Sequence, residues 1–159
     1  MRFLKLILII SLSSFHFPSS DLNASFSCMI NGASFSSNGS DGMANAAFKT
    51  AKDIITFSLV SLDPQYKGKV PPQISLSISP SGTSHFNSGD ANAKYSAHYS
   101  PANMVDAYNA ESGSATITSI TASRIEGMFS GVFTGMGKTF KITDGKFSLP
   151  AAKYSGPLI

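Results

Sequence analysis

Downstream of residue 24 the chain offers two imidazoles, His85 and His98, one thiol, Cys28, and eight carboxylates from Asp41 to Asp144. Their spacing limits the chemistry. The histidines form no ligand pair, and no second cysteine is present, so a zinc site is not expected. His85-Phe86-Asn87-Ser88-Gly89-Asp90 gathers oxygen donors beside a glycine, as calcium loops do, but with a single carboxylate. Asn38-Gly39-Ser40-Asp41-Gly42 has the same weakness, and both segments read more simply as solvated loops. Ser84 stands next to His85, yet no Gly-x-Ser-x-Gly elbow accompanies it. Most of the acids fall at turns, where a carboxylate caps the backbone. Glu126 lies inside a strand pattern with Arg124 on the same face, which predicts an ion pair rather than an acid–base dyad of the glycosidase kind. Gly135-Met136-Gly137 precedes a strand pattern, not the helix that a phosphate loop opens. The residues therefore predict no catalytic group, no metal and no cofactor, and a protein that is not an enzyme. Tyr95, Tyr99 and Tyr108 could stack on a sugar ring or anchor a protein partner, and would equally suit a core. With His85 and His98 they make up the candidate ligand-binding set.

These side chains are carried by strands. Phe26, Cys28 and Ile30 alternate with polar neighbours, Asn31-Gly32 supplies a hairpin turn, and Ala33 and Phe35 resume the alternation. Residues 25–37 are predicted as a hairpin, followed by a polar loop to Gly42. Residues 43–53 fit a helix or a strand, with a strand over 46–51 preferred. Ile54 to Leu62 is β-branched and aromatic, apolar on both faces, and predicts a central strand. Ile74, Leu76 and Ile78 alternate with serines in a strand that has one buried face. Residues 80–92 read as a long turn-rich loop, 94–99 as a strand, 104–108 as a short strand and Glu111-Ser112-Gly113 as a turn. Strands are expected at 115–120 and 124–134. The glycines within 124–134 mark bulges or places where a ring or another backbone approaches. Residues 138–143 and 146–149 follow as strands joined by a hairpin turn at Asp144-Gly145.

The count is about eight to ten short strands with turn signals at regular spacing. This predicts an all-β fold, an antiparallel β-sandwich or alternatively a β-barrel. The expected core is Phe26, Ile30, Phe35, Phe57, Leu59, Ile74, Leu76, Ile78, Ile117, Ile125, Phe129, Phe133, Phe140, Ile142 and Phe147.

Ahead of this domain, Arg2 and Lys5 precede the apolar run Leu6 to Leu12, and Leu22-Asn23-Ala24 offers a small-residue cleavage site. That order is a secretory signal peptide over 1–24, leaving one domain over 25–159. The run is too short for a spanning helix, which needs ~20 residues. No other stretch of the sequence could span as a helix, so no transmembrane helix is expected in the mature chain. Cys28 follows bulky Phe26, some distance from the apolar run, so an acylated lipoprotein cysteine is disfavoured. A buried thiol fits the alternation better. The 159 residues carry a net charge of only +3, too little and too scattered for nucleic acid. Charged residues are 13% of the chain, about half the usual ~25%.

Two segments together resemble a group of small exported bacterial β-proteins, often called putative lipoproteins. They are the opening Phe26-Ser-Cys28-Met-Ile30-Asn31-Gly32-Ala-Ser-Phe35-Ser and the closing Gly113-Ser-Ala-Thr-Ile117-Thr, followed by Ile125-Glu-Gly127-Met-Phe129-Ser-Gly131 and Ile142-Thr-Asp144-Gly145-Lys-Phe147-Ser. The resemblance covers about half of 25–159 and rests on turn residues and alternation. It implies a β-sandwich and export to the periplasm, cell surface or medium, and brings no catalytic residue with it. The chain departs from the lipoprotein members in lacking an acylation motif. The expected function is an exported binding module for a glycan or protein. A surface assembly protein polymerising through sheet edges is the alternative, and a small ligand-holding β-barrel a third.

Overall fold

The computed structural model describes residues 24–37, 49–51, 54–61, 64–90, 93–103 and 107–151. Residues 1–23 of the predicted leader, the loop 38–42, most of 43–53 and positions 104–106 lie outside the described residues. Ala24, the last residue of the predicted leader, is buried at the head of the first strand.

The described residues are all-β, 69% in strands, with one short 3-10 turn at Pro64–Tyr66. Ten strands form one antiparallel sheet: β1 Ser25–Ile30, β2 Ala33–Ser37, β3 Lys49–Ala51, β4 Ile54–Val60 and β5 Gln73–Ile78. β6 Thr83–Asn87, β7 Ser96–Ser100, β8 Tyr108–Ile120, β9 Arg124–Gly135 and β10 Lys138–Pro150 complete it. The order across the sheet is β2-β1-β10-β9-β8-β7-β5-β4-β3, with β6 paired to β8 beside β7. The expected sandwich or barrel resolves into a single sheet curled into a half-barrel.

The curl brings distant strands face to face. Phe57 on β4 meets Phe147 on β10 with ring centroids 4.8 Å apart. Tyr99 on β7 meets Phe140 on β10 at 5.1 Å. Phe57, Phe133 and Tyr108 are among the largest fully buried side chains and fill the interior. Every residue of the expected core is buried, except that Ile30, Phe35 and Phe140 are partly buried and packed against it.

Turn chemistry explains the tight connections. Asn31 and Gly32 have φ of 51° and 83°, and Met136 and Gly137 have 50° and 71°, the paired positive values of a two-residue hairpin. Asp144 also has positive φ, 55°, but no hairpin forms there. Asp144-Gly145 is a bulge inside a continuous β10, where the register on β9 shifts between Ile142 and Gly145. Gly145 lies against Phe129, whose ring carbons stand 2.8 Å from where a Cβ would sit. Glu111-Ser112-Gly113 is likewise a shift within β8 rather than a turn. The predicted loop 80–92 contains β6, whose Ser84 and Phe86 alternate inward. β4, expected to be central, lies second from the β3 edge.

Candidate functional site

The sheet divides along β8. β7 pairs with its first residues, His98 opposite Asn109 and Tyr99 opposite Tyr108. β6 pairs with the stretch beyond the shift, from Asn87 opposite Ser112 to Thr83 opposite Thr116. Between the two stations the loop after β6 folds back. Ser88 N–H donates to Glu111 C=O at 3.3 Å, Asp90 N–H to Asn87 C=O at 3.2 Å and Ala93 N–H to Asp90 C=O at 3.0 Å. Gly89 N–H adds a bond to the Asn87 side chain at 3.0 Å.

This leaves a cleft of about 210 Å³ between β6 and β7. Phe86, Ala97 and Ala110, all buried, form its floor, and Tyr95 packs beside them. Asn87, Asp90, Ser96, His98 and Asn109 bring polar groups to it. His98 Nδ1 lies 2.7 Å from Asn109 Oδ1. A carbonyl oxygen only accepts, so Nδ1 is the donor in this pair, and Nε2 is the ring nitrogen not engaged in it. The pairing also fixes the plane of the imidazole. Lys94 Nζ stands 5.5 Å from the centre of the Tyr95 ring, so one face of that ring is held by the chain's own ammonium.

Of the five predicted residues, Tyr95 and His98 line this cleft. Tyr99 and Tyr108 are in the core, 6% and 1% exposed, packed edge-on against Phe140. Burial, reinforced by Tyr66, Cys28 and Tyr108, pushes the Tyr99 hydroxyl up to about 12, so it remains a phenol. His85 is exposed on β6, opposite Ser114. Cys28 is buried, and burial pushes its thiol up to about 12, the opposite of an activated nucleophile. Asn87 was visible only as an oxygen donor of the segment 85–90; Asn109 and Ser96 escaped sequence reasoning, because a polar residue alternating on a strand looks alike whether it faces bulk water or a cleft.

The Arg124–Glu126 pair is relayed through a hydroxyl. Arg124 Nε donates to Ser148 Oγ at 2.7 Å, and that hydroxyl donates to Glu126 Oε1 at 2.8 Å. The direct separation is 3.9 Å. Among the described residues no three His, Cys, Asp or Glu side chains are grouped to hold a metal ion. No helix among them is long and apolar enough to cross a membrane. A wider depression of about 310 Å³ lies over the β10 bulge, around Met128, Asp144 and Lys146, without imidazole, tyrosine or amide side chains.

No protein-family model, curated protein or solved structure matches the chain.

Proposed function

We propose that the chain is an exported, non-enzymatic binding module whose ligand sits in the β6–β7 cleft. The observation that carries this reading is the His98–Asn109 pair, oriented at 2.7 Å beside an apolar floor. Ligand sites combine such a floor with a few fixed polar groups. At about 210 Å³ the cleft is smaller than the ~300–1,000 Å³ of drug-sized sites, and suits one sugar ring or one side chain. Export is supported by the leader pattern of residues 2–24. The test is native mass spectrometry of the protein from its producing cell, against an Asn109→Ala variant. A mass for 25–159 plus a ligand, lost in the variant, is expected. A ligand retained by the variant would overturn the reading.

Surface assembly through sheet edges is the second reading, favoured by one feature. β2 is an edge strand whose five residues, Ala33–Ser37, include no charge and no proline. The same spectra would show it as a ladder of non-covalent multimers.

A further inference from the structure

The edge of β6 runs into the cleft, and this defines the ligand's class if the cleft is the binding site, as proposed above. Among the described residues β6 pairs with β8 alone. Ser88 N–H bonds Glu111 C=O in the register of that ladder. Bonding residues of an antiparallel pair recur every second position, so Ser84 and Phe86 direct their main-chain groups at β8. Thr83, His85 and Asn87 direct theirs at the open edge. Asn87 C=O already accepts from Asp90 N–H. All three residues are exposed, whereas Ser84 and Phe86 are buried. The edge lacks lysine, proline and bulge, the usual devices against strand addition. Its last residues, Phe86 and Asn87, also line the cleft.

We propose that the ligand is an extended peptide that adds to β6 as a further strand and places one side chain in the cleft. Strand addition draws affinity from main-chain hydrogen bonds and specificity from pockets for alternate side chains. An extended polypeptide repeats N–H and C=O at the spacing that Thr83, His85 and Asn87 offer, and a sugar does not. The floor of Phe86, Ala97 and Ala110 suits an apolar side chain, and His98 can hydrogen-bond at the rim.

The experiment selects a displayed library of random heptapeptides on the full chain, with a glycan array as a parallel probe. Selected peptides should slow amide hydrogen exchange at Thr83, His85 and Asn87. His85→Pro removes an edge N–H and should weaken binding about tenfold, the equivalent of one strong hydrogen bond. His85→Ala keeps the N–H and should bind more tightly than His85→Pro. The exchange measurement uses the natural chain and stands even if the proline variant fails to fold. Sugar binding that Asn109→Ala abolishes, without protection along β6, overturns the peptide and leaves the cleft standing. Edge protection that grows with protein concentration alone assigns the edge to a second copy and overturns the peptide. Binding of neither probe overturns both readings.

Discussion

Phe57 and Phe147 are the pair through which the curl of the sheet can be measured. They sit on β4 and β10, which four other strands separate in the sheet order, yet their rings meet at 4.8 Å with a 55° tilt. Both are nearly fully buried, 1% and 3% exposed. Truncation to alanine costs about 3–5 kcal/mol per site, and two such losses could consume the ~5–15 kcal/mol of a whole domain. Leucine is the better probe, since it keeps most of the apolar volume and removes the ring pair. A double-mutant cycle of Phe57→Leu and Phe147→Leu should show a coupling of about 0.5–1.5 kcal/mol, the value of an aromatic pair beyond its buried area. The assay is urea unfolding followed by far-UV circular dichroism, with tyrosine fluorescence as a second probe because the chain has no tryptophan. Unchanged m-values would show that the denatured state is not the cause. If the two substitutions add within about 0.3–0.5 kcal/mol, the rings do not touch and the sheet is not curled as described.

Gly127→Ala should destabilise the fold by about 1–3 kcal/mol, because its Cβ would run into the Phe147 ring and the Thr116 carbonyl; a fall in the urea midpoint reads this directly. Stability should fall in alkali. Cys28 is raised from 9.0 and Tyr99 from 10.0, each to about 12, so the unfolded chain gives up these protons first. Their contribution is intact below about pH 9 and is lost as pH rises to about 12, by at most ~1.4 kcal/mol per pH unit for each group. Cys28→Ala should delay the onset toward pH 10, as read from urea midpoints across the range. Glu126→Gln should cost less than about 1 kcal/mol and lose its effect in high salt, because the relay to Arg124 lies at the surface; a larger, salt-independent loss would contradict that placement.

Much of the fold was legible because strand periodicity and turn chemistry are local. Asn31-Gly32 set the first hairpin, and Ile74, Leu76 and Ile78 announced their buried face. The misreadings have one cause. Gly113 and the Asp144-Gly145 pair carry the same turn signals whether the chain reverses or a long strand bulges. Only the neighbouring strand decides, and that is non-local. β6 was hidden because serine, glycine and asparagine surround it, although Ser84 and Phe86 alternate inward. The site was legible only in part for a related reason. Tyr95 and His98 were visible as residue types, but the partner of His98 is eleven positions away on another strand. Tyr99 and Tyr108 share their chemistry with binding tyrosines and differ only in what packs on them.

The pairing of β1 with β10 constrains how the chain reaches this state. Phe26 lies opposite Phe147, so the first strand finds its second neighbour roughly 120 residues later. The β1–β2 hairpin can form early, but the inner edge of β1 stays unpaired until the last strand arrives. Closing such a loop costs entropy before any contact repays it, which makes folding slow. At a synthesis rate of about 5–20 residues per second, that edge is exposed for several seconds at least. A chain translocated before it folds, with its last strand following the first across the membrane, would complete the sheet only on the far side. The topology thus favours late folding, and any truncation that removes β10 leaves β1 as an uncovered, aggregation-prone edge.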